Sequence, residues 1–438
     1  MKVKVIGAGL AGCEAAWQLA NHGIEVTLYE MKPQKYSPAH KYKGFAELVC
    51  SNSLKAARIE SAAGMLKEEM RRLGSLTMEC AEKTKVSAGG ALAVDREKFS
   101  DMVTNKILSH KLIDVISQEV SEVPDGNVII ATGPLTSEKL SQDIKQLCGE
   151  EYLSFFDAAA PIVTYDSLDK NLVFLASRYG KGEPDYINCP MNKEEYLAFY
   201  NELINAESAP LKEFDKRDFK VYEGCMPIEV LAKRGEDTMR FGPLKPVGLT
   251  DPRTGKRPYA VVQLRKENND GTMYNLVGFQ TNLKFGEQKR VFSMITGLAN
   301  AEFVRYGVMH RNTFIDSPRL LNEHFCMRNN ERIYFAGQIT GVEGYIESAA
   351  SGICAGLNFS RKLTGMSEIS FPSETMIGAL SKYISDESVS EFQPMGSNMG
   401  ILPQLPERIK DKKLKYKALA ERGFTELEKV LTKKEYEI

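Results

Sequence analysis

The sequence has 438 residues, 43% of them hydrophobic, and its 57 basic and 58 acidic residues leave a formal net charge of −1. A chain of this length exceeds what one hydrophobic core serves, so we expect more than one domain, and the balanced charge excludes nucleic-acid binding through bulk positive charge. No stretch approaches twenty consecutive apolar residues, and the eight cysteines form no CxxC pair, which excludes a membrane-spanning helix and argues against a zinc site or a disulfide scaffold.

The first thirty residues have the pattern of a strand, a tight turn, a helix and a second strand. An apolar strand pattern at residues 3–6 leads into a GxGxxG motif, which consists of Gly7, Ala8, Gly9, Leu10, Ala11 and Gly12. A helical pattern follows, and a second strand pattern at residues 24–29 ends at Glu30. Because the first strand begins almost at residue 1, we expect no signal peptide and a cytoplasmic location.

This arrangement is typical of a dinucleotide-binding site. Gly7 permits the tight turn, Gly9 lets the backbone approach a pyrophosphate, and Gly12 lets the helix and the strand pack closely. The helix N-terminus can face the phosphates, and Glu30 can accept hydrogen bonds from ribose hydroxyls. The alternative is a plain glycine-rich turn, which the two flanking strands and the closing acidic residue disfavour.

The chain up to residue 150 continues with alternating helical and strand patterns. An apolar run from residue 45 stops at Cys50, and the Ser-Asn-Ser sequence after it favours a turn or a helix N-cap. Helices are predicted at residues 62–73 and 95–107, and strands at residues 112–123 and 127–134. The last of these strands ends in Ala-Thr-Gly, where Gly133 lets the chain pass close to a bound dinucleotide.

Residues 151–324 differ in character, because tyrosines, prolines and strand patterns dominate and helical periodicity is sparse. A strand-like run in this part ends at Cys225. A basic tract follows, made of Arg253, Lys256, Arg257, Arg265, Lys284, Lys289 and Arg290. This tract and the basic run at residues 408–417 are hypothetical RNA contacts, although such a run is usually a solvated helix face.

A strand of the first type returns at residues 332–338 and ends at Gly337 and Gln338. A short loop with Glu343 and Gly344 leads from it into a helix rich in alanine and glycine, whose N-terminus can also face the cofactor. The Ala-Thr-Gly strand and this late strand favour FAD over NAD. Flavoproteins commonly have Asp where Gln338 stands, and the absence of a second GxGxxG excludes a separate nicotinamide domain of the disulfide-reductase type.

The predicted fold is therefore α/β, with a discontinuous Rossmann-like FAD-binding domain and an inserted mixed α/β domain. We predict that residues 1–150 and 325–370 form the FAD-binding domain and that residues 151–324 form the inserted substrate domain. Residues 371–438 are predicted to be mostly helical and to pack on the FAD-binding domain.

Five segments of the sequence resemble one family closely: GAGLAGCEAA, ELVCSNSL, YEGCMPIEV, RFGPLKPVGL and FAGQITGVEGYIESAASG. They are similar to the folate- and FAD-dependent tRNA (uracil-5-)-methyltransferases, the TrmFO family, and the resemblance covers essentially the whole chain. The last segment also resembles the related tRNA-modifying flavoprotein MnmG, but this chain is shorter, and ELVCSNSL and EGCMPIEV favour the methyltransferases.

The resemblance implies methylation of the uridine at position 54 in the T-loop of tRNA. Carbon would come from 5,10-methylenetetrahydrofolate and electrons from reduced FAD, which NADH or NADPH reduces. It further implies that Cys225 adds to C6 of uracil and that Cys50 is a second functional thiol near the flavin. A thiolate at C6 makes C5 nucleophilic, and the one-carbon unit then needs a hydride to become a methyl group.

Two alternatives to this function stay open from the sequence. Ribosomal RNA can be the substrate of the same chemistry, or the chain can be a flavoprotein that binds RNA without methylating it. For any single cysteine, the common role is simple burial in the core. Cys50 and Cys225 differ from the other six because each ends an apolar run at a turn.

Overall fold

The computed structural model describes residues 1–149, 152–158, 160–180, 183–209, 226–268, 270–307, 309–389 and 392–433. In chain order its strands are β1 (Lys2–Ile6), β2 (Glu25–Glu30), β3 (Ser53–Ala56), β4 (Lys85–Val86), β5 (Ala91–Val94), β6 (Ile113–Ser117), β7 (Val128–Ile130), β8 (Tyr152–Ala158), β9 (Ile162–Thr164), β10 (Phe174–Leu175), β11 (Tyr186–Met191), β12 (Ala260–Lys266), β13 (Met273–Leu276), β14 (Phe303–Arg305), β15 (Met309–Ile315), β16 (Cys326–Met327) and β17 (Asn330–Phe335). Its helices are α1 (Leu10–Asn21), α2 (Ala62–Arg72), α3 (Leu76–Lys83), α4 (Arg96–Ser109), α5 (Glu138–Cys148), α6 (Lys193–Asn205), α7 (Ile228–Ala232), α8 (Thr238–Phe241), α9 (Phe285–Phe292), α10 (Ser317–Leu320), α11 (Tyr345–Leu363), α12 (Met376–Ser385) and α13 (Lys412–Leu431).

A six-stranded sheet in the order β16-β17-β7-β1-β2-β6 carries the N-terminal motif. The four pairings from β17 to β6 are parallel, and only the short edge strand β16 runs antiparallel. Strand β17 arrives about two hundred residues after β7 and pairs with it, with Ile333 opposite Val128. This confirms the predicted α/β class with a Rossmann-like parallel sheet, and the late strand does complete the sheet that β1 begins.

The parallel sheet is buried on both faces, as continuous apolar strands require. Val3, Val5, Val26 and Leu28 have no exposed surface. On one face the first helix, α1, packs tightly against the late helix α11. A Cβ atom at Gly352 would lie 2.2 Å from the Ala11 carbonyl oxygen, so only glycine permits this approach of the two helices.

A second sheet, antiparallel throughout, has the strand order β10-β11-β12-β13-β9-β14. One of its faces and α6 enclose a separate hydrophobic cluster that contains Tyr196, Phe199 and Phe279. The other face carries polar side chains such as Arg265, as the two-residue alternation of a strand demands. Strands β8 and β15, which come before and after the strands of this sheet in the chain, pair with each other as an antiparallel ribbon. The domain boundaries stay a prediction.

Beyond residue 370, the helices α12 and α13 pack on the core of the parallel sheet, where Leu419 and Leu427 are buried. The Glu69 carboxylate accepts hydrogen bonds from the backbone N–H groups of Met376 (2.8 Å) and Ile377 (2.9 Å), so it caps α12. In the described parts of the chain, none of the helices has both the length and the apolar character that a bilayer crossing needs.

Candidate active site

A deep cleft lies where five neighbouring parallel strands end. Its wall includes Ile6 at the end of β1, Glu30 at the end of β2, Gln118 beyond β6, Ala131 beyond β7 and Gly337 beyond β17. The cleft has an open volume of about 1130 Å³. Ligands of open α/β sheets bind at this edge, so the fold itself places a binding site here.

The glycine-rich turn forms the floor of the cleft, and two of its glycines are required by the protein itself. Gly7 has a φ of +97°, in the left-handed region that favours glycine. A Cβ atom at Gly12 would lie 1.8 Å from the Gly7 carbonyl oxygen, so the turn and α1 cannot pack with any side chain there.

The third glycine of the motif differs, because no atom of the described residues lies within 4 Å of the position that a Cβ atom of Gly9 would take. Gly9 is the N-cap of α1 and lines the cleft together with Leu10 and Ala11. Packing inside the protein therefore gives no reason for a glycine here, whereas a ligand that contacts the backbone does.

Glu30 lies at the end of β2, where the sequence placed the ribose-binding acid. Its Oε2 accepts the backbone N–H of Ala8 at 2.9 Å, and its Oε1 accepts that of Lys32 at 3.0 Å. The carboxylate thus fixes the turn, and each of its oxygens has a second lone pair that can accept a further hydrogen bond at the cleft, which Glu30 lines.

The opposite wall comes from the chain after β7 and after β17. Gly133, with a φ of +67°, lines the cleft beside Thr132. Gly337, with a φ of +86°, is so close to α1 that a Cβ atom would lie 3.0 Å from the Cβ of Ala11. Gln338 lines the cleft beside it.

Two of the predicted residues support this wall from behind instead of lining it. Glu343 accepts hydrogen bonds from Gln338 Nε2 at both carboxylate oxygens, at 2.8 and 2.9 Å. Gly344 is the N-cap of α11, with a φ of +117°, and lets the chain turn so that Tyr345 and Ser348 reach the cleft. Two helix N-termini, those of α1 and α11, therefore begin at this cleft.

These features fit a bound FAD. The open space at Gly9 can admit a pyrophosphate against the N-terminus of α1, and Glu30 is placed for a ribose. Gln338 and the N-terminus of α11 lie at the other wall, where the flavin half of a dinucleotide would extend.

Cys50 lies next to Tyr345, a residue of the cleft wall. The Tyr345 hydroxyl donates a hydrogen bond to Cys50 Sγ at 3.1 Å and accepts the backbone N–H groups of Cys50 (2.7 Å) and Ser51 (3.2 Å). Burial of Tyr345 is the main cause that raises its pKa well above the usual value, and the charge of the nearby Cys50 is the second cause. The hydroxyl therefore keeps its proton and acts as a donor to the thiol.

The sequence pattern did not identify Tyr345 as a site residue, although Tyr345 directly follows Gly344 in the motif that begins α11. Its partner Cys50 comes from a segment almost three hundred residues earlier. Of the two structures predicted after Cys50, a turn or a helix N-cap, the N-cap is wrong: the chain bends at Cys50 and Asn52, and Ser53–Ala56 form β3.

An arginine in the first turn of α4 holds the chain just before Cys50. Arg96 Nη1 donates to the Leu48 carbonyl oxygen at 2.6 Å, and its Nε and Nη2 donate to Glu267 at 2.5 and 3.2 Å. Glu267 is 3% exposed and lies just beyond β12, so this largely buried ion pair joins α4 to the second sheet.

Two further arginines contact the same segment from the second sheet. Arg265 donates from Nε to Asn52 Oδ1 at 3.0 Å and from Nη2 to Ser51 Oγ at 2.6 Å. Arg305 Nη2 donates to the Val49 carbonyl oxygen. The hypothesis that Arg265 belongs to an exposed RNA-binding tract is therefore wrong, because this side chain is 7% exposed and is committed to the Cys50 segment.

Other members of the basic tract are paired on the surface. Arg253 contacts Asp251, Lys284 contacts Glu207, and Arg290 contacts both Glu287 and Glu202. The exposed side chains that remain available include Lys256, Arg257 and Lys289.

Of the seven cysteines in the described residues, Cys50 alone is not buried. The other six are Cys13, Cys80, Cys148, Cys189, Cys326 and Cys354. Burial raises the pKa of Cys189 to about 12, which keeps this thiol protonated and unreactive. Cys225, the predicted uracil-binding nucleophile, lies outside the described residues, and its role stays a prediction. Within the described ranges, no group of three His, Cys, Asp or Glu residues is arranged to hold a metal ion.

Comparison with known proteins extends these observations. Residues 2–367 match the family described as glucose inhibited division protein A. The solved structure of GidA from Aquifex aeolicus shares the fold, with a TM-score of 0.69 and 16% identity over 98% of this chain and 75% of that one.

Much more similar relatives are named methylenetetrahydrofolate–tRNA-(uracil-5-)-methyltransferase TrmFO. The one from Acetivibrio thermocellus is 60% identical over 432 residues, which are 98% of this chain and 99% of the relative. The one from Listeria monocytogenes is 58% identical over 428 residues, 98% of each chain. The chain therefore belongs to the glucose inhibited division protein A family and, within it, to the TrmFO group.

Proposed function

We propose that the chain is a methylenetetrahydrofolate-dependent tRNA (uracil-5-)-methyltransferase that converts the T-loop uridine to 5-methyluridine and uses FAD. The relatives with this name match almost the full length of the chain at about 60% identity. The observation in the structure that carries the proposal is the position of Cys50, whose thiol contacts Tyr345, a residue of the cleft wall. A thiol next to a dinucleotide site is what a methylation with a reductive step needs.

The residues of the cleft divide into two groups by the part of FAD that they would hold. Gly9 and the N-terminus of α1 bind the pyrophosphate, and Glu30 binds a ribose. Gln338, Gly337 and the N-terminus of α11 hold the flavin half, with Glu343 fixing the Gln338 amide. FAD, once reduced, supplies the hydride that turns the transferred methylene carbon into a methyl group.

The chain itself supplies the nucleophilic part of the chemistry. The Cys225 thiolate adds to C6 of the uracil, which makes C5 nucleophilic so that C5 bonds to the one-carbon unit of the folate. Loss of the C5 proton releases the folate amine and leaves a methylene group on C5. Addition of a hydride to this methylene forms the methyl group and expels the Cys225 thiolate from C6. Cys50 is the second functional thiol, and the Tyr345 hydroxyl fixes its direction. Because the uridine lies in a folded loop of RNA, it must be extruded to reach these groups.

NADH or NADPH is the proposed source of electrons for FAD, and the cytoplasm is the proposed location. The seven free cysteines among the described residues agree with a reducing compartment. tRNA is the proposed RNA substrate, and ribosomal RNA is the alternative that an experiment has to separate from it.

The purified protein, loaded with FAD, is incubated with methylenetetrahydrofolate, NADH or NADPH, and either a tRNA transcript or ribosomal RNA. We expect 5-methyluridine at one position of the T-loop, mapped by mass spectrometry of nuclease fragments. New 5-methyluridine in ribosomal RNA alone would show that ribosomal RNA, and not tRNA, is the substrate. Bound flavin without methylation of either RNA would favour the alternative of a flavoprotein that binds RNA without methylating it.

Two cysteine variants test the proposed roles. Cys225→Ala and Cys50→Ala should each abolish methylation while FAD stays bound. Cys189→Ala, which changes a cysteine in the core of the second sheet, is the matched control and should keep the activity. Activity that survives in Cys225→Ala would show that the nucleophile is assigned wrongly.

A further inference from the structure

Four residues form one row across four adjacent strands of the second sheet. Arg265 of β12 pairs with Asn275 of β13, Asn275 pairs with Ile162 of β9, and Ile162 pairs with Arg305 of β14. The chain neighbours Leu264, Tyr274 and Val163 point into the hydrophobic cluster of this sheet. Because side chains alternate along a strand, the row itself lies on the opposite face.

The two ends of this row contact the segment that carries Cys50 on either side of the cysteine. Arg305 donates to the carbonyl oxygen of Val49, the residue before it. Arg265 donates to the side chains of Ser51 and Asn52, the two residues after it. Two N–H donors of Arg265 on one side and one of Arg305 on the other therefore fix the segment, and Cys50 is held between them.

The charges at this row do not balance. Arg265, Arg305 and Arg96 all interact electrostatically with Cys50 and also with the Glu267 carboxylate, which pairs directly with Arg96, so one carboxylate stands against three guanidinium groups. Between the two arginines of the row, Asn275 is 2% exposed, and its Nδ2 has no hydrogen-bond partner among the described residues. The row thus presents more donors and positive charge than acceptors.

Other titratable groups lie close to this segment or to its arginines. The Tyr345 hydroxyl of α11 contacts the segment itself, and His40, in the loop that follows β2 with Lys32 and Glu47, interacts electrostatically with Arg305. Lys32 and Glu47 form a buried ion pair at 3.4 Å and offset each other. The surplus of positive charge near Cys50 therefore comes from the arginines of the second sheet.

We propose that Arg265 and Arg305 are positioning residues for Cys50: they fix residues 49–52 so that Sγ stays at the Tyr345 hydroxyl, and their charge favours the thiolate. The inserted part of the chain thereby activates a thiol that belongs to the cofactor-binding part. The importance of this thiol for methyl transfer rests on the proposed function, but its reactivity does not. A thiolate is the reactive form of cysteine, and adjacent cations stabilise it.

The test measures the reactivity of Cys50 itself in the FAD-bound full chain. In a Cys225→Ser background, Cys50 is the one cysteine of those described that is not buried, so iodoacetamide reports on it. The rate of alkylation is followed against pH by mass spectrometry of the peptide with Cys50. We expect Arg305→Gln to slow alkylation at neutral pH about tenfold and to raise the midpoint of the pH profile by about one unit.

Arg305→Lys separates charge from geometry, because it keeps the positive charge and loses the fork. We expect this variant to keep the midpoint of the parent, while Arg265→Gln behaves as Arg305→Gln does. Arg257→Gln, on the exposed loop before β12, is the matched control for the loss of one charge and should leave the profile unchanged.

An unchanged midpoint and rate in both glutamine variants would overturn the proposal. Arg265 is buried and its variants can fail to fold, but Arg305 is only half-buried, so the Arg305→Gln and Arg305→Lys pair decides the question by itself. Since alkylation needs neither folate nor RNA, a shifted midpoint supports this inference by itself, whereas the absence of methylation by the protein with Cys225 intact would reject the proposed function alone.

Discussion

The two ends of the cleft are built in different ways. The end that we propose for the phosphates (the phosphate end), at residues 7–12, consists of backbone in one continuous turn, and its geometry depends on the missing side chains of Gly7 and Gly12. The thiol end is assembled from side chains of distant segments, since Tyr345 and Arg305 both reach the segment of Cys50. A backbone site is specified locally and does not titrate, whereas a side-chain site depends on packing, charge and pH.

The buried ion pair at the thiol end gives the largest expected difference between the two ends. Arg96→Ala should lower the free energy of unfolding by about 3–5 kcal/mol, because it leaves the Glu267 carboxylate buried and unpaired. Urea unfolding followed by circular dichroism measures the loss. Lys2→Ala breaks an exposed pair with Asp114 and should cost less than about 1 kcal/mol. Equal small losses in both variants would show that this pair does not hold the thiol end.

The phosphate end should respond to the volume of one methyl group. Gly12→Ala places a Cβ atom 1.8 Å from the Gly7 carbonyl oxygen, and we expect about 3 kcal/mol of destabilisation and no bound flavin. Gly9→Ala is the matched variant, since its Cβ atom meets no described protein atom within 4 Å. It should cost less than about 1 kcal/mol and still weaken FAD binding, measured by flavin fluorescence. Unchanged FAD affinity in Gly9→Ala would contradict the position assigned to the pyrophosphate.

The hydroxyl of Tyr345 should have an intermediate effect. Tyr345→Phe leaves the backbone N–H groups of Cys50 and Ser51 without their acceptor, so we expect a loss of about 1–3 kcal/mol in unfolding free energy. Methylation should fall as well, because the thiol loses its fixed direction. Tyr36→Phe, at an exposed position, is the control and should change neither quantity. Wild-type activity in Tyr345→Phe would show that methylation does not depend on the direction in which Tyr345 holds the Cys50 thiol.

Acid should destabilise the loop that follows β2 by a smaller amount. Burial lowers the pKa of His40 from its usual 6.5, and its ring also contacts Ser37 Oγ at 2.5 Å. The unfolded chain therefore binds this proton more readily, so the stability that His40 contributes is present above pH 6.5 and is lost as the pH falls below it. His40→Gln should flatten the stability profile in this range, as measured by urea unfolding at several pH values. An identical slope in the variant would assign the pH dependence to another group.

Much of the fold and of the phosphate end could be predicted from the sequence. Gly7, Gly12 and Glu30 form a motif whose parts are close in the chain, and each part has one geometric reason. The return of the sheet at residues 330–335 was also predictable, because the late strand carries the same small-residue ending as the first. The expected roles of Glu343 and Gly344 need refinement, since they support the wall of the cleft instead of lining it.

By itself, the sequence determined the α/β class, the place of the cleft and the family, because these depend on local patterns of apolar residues and glycines. Only the tertiary structure decided what surrounds Cys50. Arg265 was one of several basic residues in a tract, and nothing in its neighbours in the chain distinguishes a buried arginine from an exposed one. Its partner lies more than two hundred residues away, and only the register of the second sheet brings Arg265 and Arg305 to the two sides of the same thiol.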